Sequence, residues 1–403
     1  MLPGGKSSVF KAVLRLIIKS NLLTDARAGL LSDVISSSLL KCSSTSYARG
    51  AWTLLEALTS EAQIYLSTQQ SIDIATLATS SWEALRESSI DKSFSNNTAI
   101  FRDGEERTEL ICLALNTLTS LSTRFDEEGR LNHKNALVAD LLTFTLPPAT
   151  VSACLHLLEA ISASKEDIFI QCDLVLTRSH EVLLSYLSRM NTATLQTDEE
   201  EQLAAQAGSA LFTLGEISML GFSVEEDESK FRMAANNFRK LLITDDPQNY
   251  LFILPSDLLS SLRIYMLNEL PNAYMVKSVP SELRAFAFLS MGKLCMRNKA
   301  LAKEQLNVLL RELSAVPAAE NDDANQHAVR ANVIVVLGDL CVRYTHLVEG
   351  YIGKLASGLP ASNCVLVKQN SLIVLCQLLA QDYIKLRGIL LFRFFACTAD
   401  ENV

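Results

Sequence analysis

The sequence predicts an all-α fold, a solenoid of stacked antiparallel helix pairs, from three observations. One short signature recurs four times along the chain. The apolar pattern is helical nearly throughout, with no persuasive run of alternating strand residues. Hydrophobic residues make up 49% of the 403 residues, against only 15 Gly and 9 Pro, which favours a helix-rich chain with a continuous core.

The recurring signature places an apolar, a small, a polar and an apolar residue in succession. Its copies are Leu214–Ile217, Met291–Leu294, Leu337–Leu340 and Leu375–Leu378, and successive copies lie 77, 46 and 38 residues apart. One step of 38 to 46 residues, or two steps for the first gap, matches the period of HEAT repeats. A helix pair of this kind cannot bury its apolar face alone, so it stacks on its neighbours and builds an extended binding surface.

The individual helices follow from periodicity and from their start and stop signals. Amphipathic stretches fill residues 7–91, and a first repeat helix is predicted within residues 1–24, although its basic, acid-free composition superficially resembles a transit peptide. A polar break is predicted at 93–104, and Pro147-Pro148 stops a helix. Further helices are predicted at 105–146, 149–163, 166–189, 256–269, 281–297, 300–313, 326–345, 347–357, 365–380 and 382–396.

Two segments have the form of a capping box, in which a hydroxyl and a carboxylate satisfy the free N–H groups at a helix start. They are Thr197–Glu200 and Ser223–Glu226. Acids at a helix N-terminus are stabilised by the partial positive charge there, so these acidic clusters need no binding role. Residues 244–255, just before the helix predicted at 256–269, are predicted to form a loop.

The signature also predicts core positions. Gly292 and Gly338 lie inside predicted helices, where glycine costs about 1 kcal/mol relative to alanine, and close packing of neighbouring helices would explain that cost. The predicted core residues are Met291, Leu294, Leu337, Leu340, Leu375 and Leu378.

An apolar–basic pair precedes three copies of the signature, at Leu283-Arg284, Val329-Arg330 and Val367-Lys368. We expect Arg330 and Lys368 to be structural rather than ligand-binding, because this position begins a helix and can pair with a nearby acid, such as Asp339, or with a carbonyl.

The charge distribution is uneven on a chain of net charge −9. Residues 330–395 hold seven basic and three acidic side chains and are net positive by four. A basic segment on an acidic chain hints at a phosphate-bearing or acidic partner. A solvated helix face is the alternative.

The sequence predicts neither an enzyme nor a metal or cofactor site. It contains no GxxxxGK[ST], GxGxxG, HExxH or GxSxG motif, although an active site assembled from distant residues stays open. The nine cysteines include no CxxC pair and are interpreted as reduced core thiols. Cys341 and His346 form one ligand-like pair, whereas a structural zinc site needs four ligands. No apolar run approaches the ~20 residues that span a bilayer.

Three segments resemble the D-type HEAT-repeat subunit of condensin: 279–313, 329–352 and 367–395. The run Lys385-Leu386-Arg387-Gly388, followed by Leu391–Phe394, is most similar to the condensin II version. Residues 201–403 are therefore expected to be HEAT repeats like the core of that subunit, whereas 1–200 are expected to be helical repeats that match it weakly. Family members continue much further, so we expect the chain to be truncated at its C-terminus.

The resemblance implies a non-catalytic subunit that acts in mitotic chromosome condensation in the nucleus, on the chromosome. Its implied partners are the kleisin and SMC subunits of condensin, together with DNA or chromatin, including histones. No membrane, small-molecule substrate or cofactor is expected, since ATP hydrolysis belongs to the SMC partners. The basic residues expected to contact DNA or a partner are Arg343, Lys354, Lys385, Arg387 and Arg393.

A second interpretation of the repeats stays open at this stage. A nuclear transport receptor or a phosphatase scaffold is also built from HEAT repeats, and would bind acidic or peptide partners without DNA.

Overall fold

The structure, a computed structural model, describes most of the chain and divides into two compact units. One unit comprises Met1–Leu141 and Leu146–Ile168, and the other Leu142–Thr145 and Phe169–Val403. The boundary expected at residue 200 concerns similarity rather than compactness and stays a prediction. The described residues are 16, 45–61, 74–83, 100–190, 197–220, 242–243, 250–251, 256–267, 279–314, 324–356, 359, 364–386 and 388–397.

The described residues are overwhelmingly helical, and the predicted fold class, an all-α HEAT-repeat solenoid of stacked antiparallel helix pairs, is confirmed. The helices are α1 (Thr45–Glu61), α2 (Ile100–Leu121), α3 (Glu127–Thr143), α4 (Pro148–Ile161), α5 (Lys165–Met190), α6 (Thr197–Met219), α7 (Ser256–Leu267), α8 (Ser281–Arg297), α9 (Lys299–Ser314), α10 (Ala324–Arg343), α11 (Thr345–Val348), α12 (Ile352–Leu355), α13 (Val365–Ala380) and α14 (Gly388–Cys397).

The first unit packs α2 against both α1 and α4. A buried histidine joins its other helices: His133 of α3 lies 3.1 Å from the Thr79 hydroxyl, which belongs to the helix at 74–83. The imidazole ring also contacts Phe125, with ring centroids 4.9 Å apart. Burial lowers the pKa of His133, and the nearby Glu83 carboxylate opposes that shift. A neutral ring is therefore part of this core.

The second unit is organised by the four signature helices, which lie side by side in the order α6, α8, α10, α13. They run in the same direction, because corresponding ends meet: Arg297 at the end of α8 reaches the end of α6, and Tyr344 after α10 reaches the end of α8. The six predicted core residues, from Met291 to Leu378, are at most 4% exposed. That prediction is confirmed.

The small residue of each signature is the point of closest approach between neighbours. A Cβ on Gly215 would lie 3.0 Å from the Ser290 Cα, and one on Gly338 would lie 2.5 Å from a Val374 methyl carbon. Gly292 meets Val336 in the same way. In each case the contacted residue lies on the next signature helix, two positions before the small residue of that helix's own signature. The predicted reason for glycine inside these helices, close packing, is therefore confirmed.

The second layer consists of α5, α7, α9 and the segment with α11 and α12. Tyr265 of α7 donates a 2.9 Å hydrogen bond to the Leu183 carbonyl of α5, and Arg263 of α7 pairs with Glu304 of α9 at 2.7 Å. Only Asn298 separates α8 from α9. Its backbone N–H bonds the Leu294 carbonyl, while its side chain accepts from the Leu301 N–H and so caps α9.

The prediction that the first gap between signatures spans two repeat steps is wrong. Ser290 of α8 donates directly to the Leu211 carbonyl of α6 at 2.5 Å, so the 77 residues between the two signatures form one step of the stack. The extra length lies in the connection, which includes α7. Sequence spacing alone cannot tell a second repeat from a long connection.

Three predicted boundaries also differ from the structure. Helix α2 begins at Ile100, inside the break predicted at 93–104. The helix predicted at 347–357 is two single turns, α11 and α12, joined by a 3₁₀ turn at Glu349–Tyr351. The helix predicted at 382–396 begins only at Gly388, because Asp382 has a φ of 59° and the Tyr383 N–H turns back to the Leu378 carbonyl.

The region predicted as a loop at 244–255 carries part of a small antiparallel strand pair, β1 (Leu242–Ile243) and β2 (Tyr250–Leu251). Two residues a strand are too short to give an alternating pattern. Helix α6 begins at Thr197, the first residue of the predicted capping box, and the capping hydrogen bonds stay a prediction. The second box, Ser223–Glu226, and the helix predicted in 1–24 lie outside the described residues, apart from helical Leu16.

Candidate functional site

The signature helices turn one face away from the second layer, and its polar groups join neighbouring helices. Lys293 of α8 forms an ion pair with Glu216 of α6. The same ammonium lies 4.5 Å from the centre of the Phe212 ring, a cation–π contact. Asn332 of α10 donates a 3.0 Å hydrogen bond to the Ala285 carbonyl of α8. This outer face is therefore a continuous surface across the helices.

The C-terminal ends of these helices carry cations. Arg297 donates to the carbonyls of Met219 and Leu220 at 2.6 and 2.9 Å. Those carbonyls end α6, where helix dipoles concentrate negative charge. Arg343 occupies the corresponding position of α10 and is exposed, 5.8 Å from the Tyr344 ring centre. Arg297 therefore has a structural role at this end, whereas the charge of Arg343 is exposed to solvent.

The structure places four of the five residues expected to contact DNA or a partner. Arg343, Lys354 and Lys385 are exposed, at the end of α10, in α12 and after α13. Arg393 of α14 donates a 2.6 Å hydrogen bond to the Gly353 carbonyl, which brings it beside Lys354. Arg387 lies outside the described residues. That these residues contact DNA stays a prediction.

Two basic residues of the apolar–basic pairs, Arg284 and Arg330, have a structural environment. Arg284 donates to the Met266 carbonyl at 3.2 Å and pairs with Glu312 at 3.0 Å, so it links α8 to the ends of α7 and α9. Arg330, at the equivalent position, is buried at 9% exposure. Burial is the behaviour expected of Arg330, whereas the structural role expected of the partly exposed Lys368 stays a prediction.

The described cysteines are free thiols, and five of the eight are buried: 154, 172, 295, 341 and 397. Burial raises the pKa of Cys295 to about 12 and also raises that of Cys341. Both thiols are therefore protonated near neutral pH and poor metal ligands in that form. Cys376 is exposed, unlike a core thiol.

Within the described residues, no group of three or more His, Cys, Asp and Glu side chains is arranged to hold a metal ion. Across the same part of the chain, no helix is long and apolar enough to cross a membrane.

Sequence reasoning selected this site by charge and missed its apolar part. Leu289, Val335 and Ile373 lie at one offset, three residues before the small residue of each signature, and all are partly or fully exposed. Their common offset was the signal that could have identified them.

Family comparisons cover the C-terminal part of the chain. Residues 265–313 match the family model of condensin-2 complex subunit D3-like HEAT repeats. Residues 328–403 match the family model of non-SMC mitotic condensation complex subunit 1. These segments contain α8, α9 and most of α10 to α14. The predicted resemblance to a condensin D-type subunit, most like that of condensin II, is confirmed over these residues.

Three curated relatives agree. Condensin-2 complex subunit D3 of Mus musculus is 39% identical over 125 residues, which are 31% of this chain and 8% of the relative. Subunit D3-L of Xenopus laevis is 40% identical over the same length, 31% of this chain and 8% of the relative. Subunit CAP-D3 of Arabidopsis thaliana is 35% identical over 136 residues, 34% of this chain and 10% of the relative. The chain thus spans about a tenth of these relatives' length.

The solved structure of the S. pombe condensin Cnd3-Cnd2 subcomplex aligns with 98% of this chain and 55% of its own chain. Its TM-score is 0.46 at 14% identity, which is too low to support an argument about partners.

Proposed function

We propose that this chain is a non-catalytic HEAT-repeat subunit of the condensin II complex and acts in mitotic chromosome condensation. In this role it binds the kleisin and contacts DNA or chromatin, while the SMC subunits hydrolyse ATP. It works in the nucleus, on the chromosome. The observation that carries the proposal is the match of residues 265–313 and 328–403 to condensin families, over the same helices that form the repeated stack.

The geometry supports a scaffold. Signature helices in one register present a continuous outer face, and stacked repeats typically use such surfaces to bind macromolecules. The groups that join the helices are used for packing: Lys293 and Glu216 pair with each other, and Arg284 pairs with Glu312. The cations Arg343, Lys354 and Lys385 are exposed to solvent and carry the charge that phosphate contact requires.

Kleisin binding is tested with purified components. We expect the chain to bind the kleisin of condensin II in a calorimetric titration, and to bind the condensin I kleisin more weakly. A titration with no heat and no co-elution for either kleisin would contradict the proposed partner. The unrelated chain of a phosphatase scaffold serves as the negative control.

DNA contact is tested by a salt series. Replacing Arg343, Lys354 and Lys385 together by alanine should flatten the log–log salt dependence of duplex binding by about one unit for each phosphate that the variant no longer neutralises. The matched control replaces the exposed cations Lys299, Lys303 and Arg311 of α9 and should leave the slope unchanged. Equal slopes in wild type and both variants, or no binding by the wild type, would contradict DNA contact through this site.

A further inference from the structure

The segment with α11 and α12 is two single helical turns, Thr345–Val348 and Ile352–Leu355, separated by a 3₁₀ turn. Helices this short are marginal on their own. A Cβ on Gly350 or on Gly353 would meet no atom within 4 Å, so close packing requires neither glycine. The segment therefore depends on contacts with its neighbours for a defined position, and it carries Lys354, one of the cations expected to contact DNA.

Helix α14 contacts this segment through Arg393. The guanidinium donates a 2.6 Å hydrogen bond to the Gly353 carbonyl, which lies in the only turn of α12. The last carbonyls of a helix lack donors within the helix, and the negative end of the helix dipole attracts a cation there. The guanidinium of Arg393 therefore caps the C-terminal end of α12 from a neighbouring helix.

Helix α14 has few apolar anchors. Among the side chains of α14 that the structure describes, Leu390 and Cys397 are the buried ones, whereas Phe392 and Phe395 are 72% and 65% exposed. A ten-residue helix that buries so little gains a large share of its positional restraint from a directed hydrogen bond. The bond from Arg393 therefore restrains α14 as well as α12.

The same bond joins the two elements that carry Lys354 and Lys385. Lys354 directly follows Gly353, and Lys385 lies in the connection that leads into α14, three residues before Gly388. Both lysines are exposed. A site whose cations are already held in position loses less freedom when it binds its ligand. The bond from Arg393 therefore restrains the relative position of two cations without using the charge of either.

We propose that Arg393 is a positioning residue, which holds α12 against α14 and so keeps Lys354 and Lys385 in place for phosphate contact. Arg393 does not itself neutralise a phosphate, unlike the direct contact that the sequence predicts. The inference rests on the proposed function in taking duplex DNA as the ligand. It gives Arg393 and the two lysines different tasks, because the guanidinium donates to the Gly353 carbonyl.

The first test is hydrogen–deuterium exchange of the full chain, measured on peptides that cover α11 and α12. Arg393→Met keeps an unbranched side chain and removes its donors. We expect amide exchange in α11 and α12 to become about fivefold faster, because losing a restraining contact populates the open state of a short helix. Exchange in α8 and α10 should stay unchanged, which controls for folding.

The matched control is Arg297→Met. Arg297 also donates to carbonyls at a helix end, those of Met219 and Leu220 at the end of α6. Its loss should leave exchange in α11 and α12, and binding of duplex DNA, at the wild-type values.

The second test separates positioning from phosphate contact. With a fluorescein-labelled duplex, Arg393→Met should bind about fivefold more weakly at every salt concentration but keep the wild-type log–log slope, because no phosphate contact is lost. Lys354→Met should instead flatten the slope by about one unit. Adding Gly350→Ala and Gly353→Ala to Arg393→Met should restore most of the affinity, because alanine favours the helical conformation without supplying a cation.

Three results would overturn the inference. They are a slope flattened by about one unit in Arg393→Met, which would make Arg393 a phosphate contact, unchanged exchange of α11 and α12 in that variant, and no recovery of affinity with the two alanines. Absence of duplex binding by the wild type would overturn the positioning role together with the DNA contact of the proposed function. A failure confined to the Arg393→Met variant leaves that DNA contact in place.

Discussion

At the scale of single residues, the glycine of each signature is fixed by its neighbour. In an open helix, replacing glycine by alanine stabilises by about 1 kcal/mol. At Gly292 a new Cβ would lie 3.0 Å from the Val336 Cβ. Gly292→Ala should therefore destabilise the second unit by about 1–3 kcal/mol through overpacking, measured by denaturant unfolding. Gly50→Ala, in α1 with no atom within 4 Å, should have the opposite sign. If both substitutions change the free energy of unfolding in the same direction, the close approach of α8 and α10 at Gly292 is contradicted.

The apolar phase of the signature gives a second prediction at this scale. Leu340 is 1% exposed, whereas Val342, two residues later in the same helix, is 40% exposed. Leu340→Ala should lower the free energy of unfolding by about 2–5 kcal/mol. Val342→Ala should change it by about 0.5 kcal/mol or less. Comparable losses in the two variants would mean that the helix phase is wrong.

The buried histidine of the first unit predicts a pH dependence. Burial lowers the pKa of His133 in the folded chain, so the unfolded chain takes up the proton first as pH falls. The stability that neutral His133 contributes is present above the ordinary histidine pKa of about 6.5 and is lost as pH falls below it. Denaturant melts at pH 7 and pH 5 should show a smaller loss for His133→Gln than for the wild type. An equal or larger loss in the variant would contradict this.

At the scale of elements, Arg284 links the two layers of the second unit. It contacts the Met266 carbonyl and Glu312, and both charged side chains are less than one-fifth exposed. A double-mutant cycle with Arg284→Met and Glu312→Gln should give a coupling energy of about 1–2 kcal/mol. The exposed pair Arg178–Glu181 on α5 should give about 0.5 kcal/mol or less. A coupling energy for Arg284–Glu312 no larger than that for Arg178–Glu181 would contradict a stabilising link between the layers.

The same scale shows what the sequence could and could not predict. The signature predicted the phase of α8, α10 and α13, because a buried stripe repeats with the helical period. The break between α11 and α12 was missed, although Gly350 and Gly353 weaken a helix there by about 1 kcal/mol each. The Ser290–Leu211 hydrogen bond could not be predicted from the sequence, because a local pattern does not say which distant helix packs beside α8.

At the scale of the molecule, charge and apolar surface have different roles in the second unit. The cations at the helix ends were predicted from composition, and Arg393 proves to be tied to the Gly353 carbonyl. The exposure of Leu289, Val335 and Ile373 could not be predicted from composition, because it depends on which faces the stack covers.

In the proposed function, this chain works in condensin II rather than as another HEAT scaffold. The most direct measurement is affinity purification of the tagged chain from mitotic cells, followed by mass spectrometry, with the destabilised Leu340→Ala chain as control. The account predicts the condensin II kleisin and SMC subunits as the enriched proteins, reduced in the control. Enrichment of transport cargo or a phosphatase catalytic subunit, without any condensin subunit, would contradict it.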